Sequence, residues 1–174
     1  MQIVRRAPIA IVIAVVAALA TSLAVGALGA LGRDGGGGGS DESLVSARLA
    51  PSVPTDPAFH GVTPGAAPWV LKRGEVQLER AGELELRVRG LVIPTAPANG
   101  TPGPVNTINA SLYCGAESET VAADTTGQVP ISRAGDARIN DRSFTVPSGC
   151  LAPIVLVHPN GDMTHYIAVD GWRF

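Results

Sequence analysis

Residues 7–31 carry no charge at all, and residues 9–20 within them are nearly pure hydrocarbon. As a helix rising about 1.5 Å per residue, such a segment exceeds the roughly 30 Å of a bilayer core. No other part of the 174-residue sequence has the apolar surface to enclose it, so it predicts a membrane span and leaves the rest of the chain to fold by itself. Arg5 and Arg6 precede it, while Asp34, Asp41 and Glu42 follow. That asymmetry places the N-terminus in the cytoplasm and the C-terminal bulk outside a cell membrane crossed once. Ala24-Val25-Gly26 and Ala27-Leu28-Gly29 fit the small-x-small pattern of a cleavage site, so the alternative is a signal peptide and a secreted product. No Cys lies near the segment's end, which excludes a lipoprotein anchor.

The expected organisation follows: a cytoplasmic N-region over residues 1–6, a transmembrane helix or signal peptide over 7–31, a flexible linker or stalk over 32–66, and an extracytoplasmic domain over 67–174. Five consecutive glycines at 35–39 have no Lys-Ser/Thr pair after them, so they form a linker and not a phosphate loop. Pro51, Pro54, Pro57, Pro64 and Pro68 then favour an extended stalk, on which Val53, Phe59 and Val62 remain available to dock.

From Pro68 onward the hydropathy period becomes 2, the mark of strands with one buried face. Val76 and Leu78 alternate with Glu75, Gln77 and Glu79, and Leu84, Leu86 and Val88 alternate with Glu83, Glu85, Arg87 and Arg89. A two-residue turn would set Leu78 opposite Glu85, an apolar residue beside a charge on one face. A three-residue loop, Arg80-Ala81-Gly82, pairs Leu78 with Leu84 and Val76 with Leu86 and needs Gly82 in the left-handed region. Beyond Arg89 the buried parity slips to Leu91 and Ile93, predicting a bend at Gly90. Residues 108–114 read as a half-buried strand with Asn109, Ser111 and Tyr113 outward. Shorter strands are expected at 120–123, 128–132, 137–139 and 143–146. The continuous apolar run 151–157 predicts a central strand, joined through a Pro159-Asn160-Gly161-Asp162 turn to a return over 165–169. No further segment has helical periodicity. The expected fold is therefore all-β: a small antiparallel β-sandwich of the immunoglobulin-like kind, with seven to nine short strands, a small barrel being the alternative.

Cys114 and Cys150 are the only cysteines and both lie in the exported part, so they are expected to form a disulfide. One Cys pair 36 residues apart offers neither a metal ligand set nor a nucleophile with its base. If the last turn centres on Asn160 and Gly161, His158 faces Met163 and His165 faces Leu156, so no histidine pair forms for a metal. Asp136, Asn140, Asp141, Asn160 and Asp162 lie in loops without calcium-loop spacing and read as turn residues.

Hydrolase elbows, zinc helices and dinucleotide fingerprints are absent from the sequence. No enzyme activity, cofactor or metal is expected. Beyond Arg33, ten basic residues face fifteen acidic ones, a balance of −5 that disfavours nucleic acid as a partner. Trp69, Trp172 and Tyr113 are candidate partner-binding aromatics, although an edge tryptophan more often closes a small core. The functional expectation is a non-enzymatic binding or structural module at the cell envelope, tethered by its N-terminal helix and engaging a protein or a glycan. A secreted inhibitor or enzyme-accessory domain is the alternative, with a small hydrolase third.

Overall fold

The structure, a computed structural model, describes residues 43–171. The expected membrane helix, the glycine run and Trp172 lie outside the described residues. The described chain is all-β and contains no helix. Its strands are β1 (Ser43–Pro51), β2 (Thr63–Pro64), β3 (Arg73–Glu79), β4 (Leu84–Arg89), β5 (Thr107–Tyr113), β6 (Asp124–Thr125), β7 (Val129–Pro130), β8 (Ala137–Asp141), β9 (Ile154–Pro159), β10 (His165–Tyr166) and β11 (Ala168–Asp170).

Nine of them make one antiparallel sheet in the order β6-β5-β9-β11-β1-β3-β4-β8, with β7 also on β5. β1 is the reason for a single sheet where two separate ones were expected. Its first part pairs with β3 as far as Arg48 opposite Glu75, and its last three residues pair with β11 from Leu49 opposite Asp170. A strand that changes partner midway welds two halves into one strongly curled half-barrel. Apolar residues of β3, β4 and β8 meet those of β5, β9 and β11 across the concave side, in one core. Part of the segment expected to be a stalk, Ser43–Pro51, is therefore a strand of the sheet.

The β3–β4 hairpin takes the register set by parity. Leu78 pairs with Leu84, Val76 with Leu86 and Glu75 with Arg87, while Gly82 sits at φ +91°. A Cβ on Gly82 would lie 2.2 Å from the Phe144 carbonyl oxygen, so space as well as backbone angle requires glycine there. Leu78, Leu84 and Leu86 are buried, each contributing about 2 kcal/mol. Gly90, at φ +66°, makes the expected bend, after which Leu91 and Ile93 both point inward.

β9 lies between β5 and β11, as a continuous apolar run should. It begins only at Ile154, leaving Leu151 in solvent. Strands expected at 120–123 and 143–146 do not form, and β6 occupies Asp124–Thr125 instead.

β5 is buried on both faces, not half-buried, because its outer side carries a second small layer. Phe59 and Val62 fold back on Tyr113, Leu156, Tyr166 and Val169. The Phe59 and Tyr166 rings lie 5.5 Å apart, and the Tyr166 hydroxyl donates to the Pro57 carbonyl at 2.7 Å. β10 is diverted to this layer, where it pairs in parallel with β2. That diversion also corrects the last hairpin: the 159–162 turn is followed by a second bend, and Val157 pairs with Ala168 and Leu156 with Val169. His158 therefore does not face Met163 through a simple ladder.

Candidate functional site

The partner switch of β1 opens a concavity. Past Arg48, the strand leaves β3 for β11, and the stretch before β3 diverges from it. A cleft of about 630 Å³ fills the gap, with Leu49, Pro51 and Leu71 on its walls and Trp69 at its end. Gly74 makes the floor tight, because a Cβ there would stand 2.6 Å from Leu71 Cδ2 and 2.8 Å from Leu49 Cβ. The Trp69 amide donates to the Ser52 carbonyl at 2.9 Å, which fixes the indole against the strand end.

Arg48, Lys72, Arg73 and Glu75 surround the mouth. Arg73 donates through Nε and Nη2 to Glu75 Oε1 at 3.0 and 2.8 Å, so one cation is neutralised locally. Arg48 and Lys72 are exposed and enter no ion pair among the described residues. The mouth thus has a local positive excess in an acidic domain, next to an apolar floor. A volume of this size falls within the range of ligand sites, and exposed cations over an apolar floor suit a ligand with carboxylates.

The other carboxylates are occupied by turns and strand faces. Asp136 accepts from the Gly90 amide at 2.9 Å and Asp141 from Ser143 at 2.9 Å. Asn160 Oδ1 accepts from the Asn106 and Thr107 amides at 2.9 and 3.2 Å. Asp124 is slightly buried, which alone would raise its pKa, but hydrogen bonds from Thr145 and Thr125 hold it below the usual carboxylate value. Asp162 is pulled down to about 2, first by the Thr164 hydroxyl, then by the Thr164 amide and by His165. His165 Nδ1 contacts Asp162 Oδ2 at 2.8 Å and Thr164 Oγ1 at 3.0 Å. A catalytic triad needs its carboxylate and nucleophile on opposite ring nitrogens. Here both contacts are on Nδ1, the arrangement of a capped turn. Glu85 binds both Arg87 and Arg138 on the wet face of β4.

The sequence-derived candidates fall in separate places. Cys114 and Cys150 form the expected disulfide, with Cα atoms 5.1 Å apart. Trp69, 4% exposed, takes the core position more usual for such a residue and reaches only the cleft wall. Tyr113 lies beneath the outer layer with the His60 ring stacked on it at 5.2 Å, and burial raises its pKa. The site residues that sequence reading missed are Arg48, Lys72 and Arg73. Their signal was a cluster of cations against an otherwise acidic domain, split between the expected stalk and the first strand.

At the disulfide, two loops are tied together. Gly115 donates to the Leu151 carbonyl at 2.7 Å, and Thr145 donates to Asp124 Oδ2 at 2.5 Å. Leu151 and Val121, on these loops, are 74% and 84% exposed. No family model, no curated protein and no solved structure matches this chain.

Proposed function

We propose that this chain is an exported, membrane-tethered, non-enzymatic binding module whose cleft beside β1 takes a carboxylate-bearing glycan segment of the cell envelope. The supporting observation is the cleft itself, where Arg48 and Lys72 flank an apolar floor that ends at Trp69. Each exposed cation offers a charge-assisted hydrogen bond to a carboxylate, and sugar C–H faces pack on the apolar wall. In this reading the two halves of the curled sheet act as the layers of a sandwich-like module, held outside the membrane by the N-terminal helix and the glycine run.

Calorimetric titration of the full chain in detergent with glucuronate oligosaccharides tests the reading, with neutral N-acetylglucosamine oligosaccharides as the control. Binding is expected for the acidic series only, and replacing both Arg48 and Lys72 by Ala weakens it by about tenfold or more, as does high salt. Equal affinity for both series, or none for either, rejects the proposal.

A second reading, the secreted inhibitor or partner-protein domain, is favoured by the exposure of Val121 and Leu151 on rigidly tied loops. Photocrosslinking from position 151 in intact cells would then trap a protein, and substitution of Arg48 and Lys72 would leave the adduct unchanged.

A further inference from the structure

The outer face of β5 and β9 holds two buried acceptors that nothing satisfies. Asn109 and His158 are direct cross-strand neighbours, 2% and 0% exposed. Asn109 Oδ1 and His158 Nε2 have no hydrogen-bond partner. An orphaned buried polar atom costs on the order of 1–3 kcal/mol, so a pair of them points to something that fills the place.

The tautomer of His158 follows from its other nitrogen. Nδ1 lies 2.8 Å from the His165 carbonyl, which only accepts, so Nδ1 carries the proton and Nε2 presents a lone pair. Burial lowers the pKa of this ring, against the opposing pull of the His165 carbonyl and of the Asp162 carbonyl and carboxylate. An imidazole held through Nδ1–H on a main-chain carbonyl, with Nε2 unoccupied, is the arrangement in which histidine ligates a metal.

A third donor stands on the same face. Met163 Sδ lies 3.5 Å from Asn109 Nδ2 and 3.7 Å from Ser111 Oγ. Met163 is half-buried, so this edge of the cluster is the one nearest solvent.

We propose that His158 Nε2 and Met163 Sδ, assisted by Asn109 Oδ1, form a binding site for a soft monovalent cation, Cu(I). Donor chemistry selects this ion. Among the described residues, no group of three or more His, Cys, Asp and Glu side chains converges as zinc or a hard divalent cation requires. Thioether and imidazole are the ligands of Cu(I), which is content with two or three donors, whereas Cu(II) favours square-planar nitrogen and oxygen sets. Binding changes no oxidation state and needs no co-reactant. The two orphaned acceptors and the sulfur are accounted for together. The site is independent of the cleft beside β1.

The test is an anaerobic competition of the full oxidised chain against a chromogenic Cu(I) chelator, with Cu(I) supplied as its acetonitrile complex so that no reductant attacks the disulfide. One equivalent is expected to be retained. Met163→Leu, nearly isosteric and at a half-buried position, is expected to keep the melting temperature of the apoprotein and to weaken retention by about tenfold or more. His165→Ala, which keeps the main-chain carbonyl that orients His158, retains copper as the native protein does. X-ray absorption of the loaded protein should show sulfur beside nitrogen or oxygen in the first shell. The proposal is overturned if the native chain loses all copper to the chelator, in which case solvent alone serves the two acceptors. It is equally overturned if Met163→Leu binds as tightly as the native chain, or if His165→Ala abolishes retention.

Discussion

Asp170 ends β11 half-buried, with one carboxylate oxygen accepting from the Val155 amide at 2.8 Å. Burial outweighs that bond and pushes its pKa up to about 6. In the unfolded chain the same group titrates near about 3.9. Between these values the folded state holds a proton that the unfolded state has released, so stability falls as pH rises from about 4 to about 6, by at most about 1.4 kcal/mol per pH unit. Asp170→Asn removes the ionisation while keeping an oxygen for Val155. Urea unfolding at several pH values across this window should show a shallower decline for the variant than for the native protein. Parallel curves would show that Asp170 is solvated more freely than its packing implies. Sequence gave no hint of this carboxylate, which sits in an ordinary strand-end position. The parity of Leu78 and Leu84, in contrast, was readable, because burying a charge opposite a leucine is costly enough to leave one register. Asn109 was read as outward-facing on a half-buried strand. It is buried instead, with Met163 from the segment after the 159–162 turn against its amide, a contact that no local pattern announces.

Among the elements, the one that decides the architecture was also the one missed. Val45, Ala47 and Leu49 alternate with Ser46 and Arg48, a proper strand pattern, but it is short and stands between the glycine run and a proline-rich stretch. Those neighbours suggested a solvated stalk. Position in the sheet, not local propensity, makes β1 indispensable: it covers the edge of β3 on one side and of β11 on the other. A chain beginning at residue 67 would expose both edges and open the core between the halves, including Val45 and Leu49. Such a chain is expected to lack a cooperative thermal transition and to be degraded rapidly by protease, whereas one beginning at residue 37 melts as the native domain does. A cooperative transition in the shorter chain would mean that the two halves close without β1. Strands β3, β4, β5, β8 and β9 were legible because each carries its own alternation or apolar run. β7 falls within the strand expected at 128–132 and β10 within the return expected at 165–169, although β10 pairs in parallel with β2, whereas β6, two residues long, exists only through its pairing with β5 and has no sequence signature of its own.

At the scale of the whole molecule, the disulfide links the fold to the compartment implied by the N-terminal segment. The bond closes a loop of 36 residues between the end of β5 and the loop before β9, and in the chain-entropy model it stabilises by about 4 kcal/mol. For a domain of this size that corresponds to a melting temperature about 10–15 °C higher. A reducing cytosol would withhold this stabilisation, and an oxidising extracytoplasmic space would supply it. If the apolar segment at 7–31 exports the domain, protein recovered from cells carrying the full sequence should have no free thiol. It should also fractionate with membranes, and lose its domain to protease added to intact cells. A version lacking residues 1–36 and made in the cytosol should carry two free thiols and melt about 10–15 °C lower until it is oxidised. Oxidised and cytosolic versions that melt alike would show that the loops hold without the bond. Full-length protein recovered with both thiols free would place the domain on the cytoplasmic side and, with it, overturn both the topology and the envelope ligand proposed for the cleft.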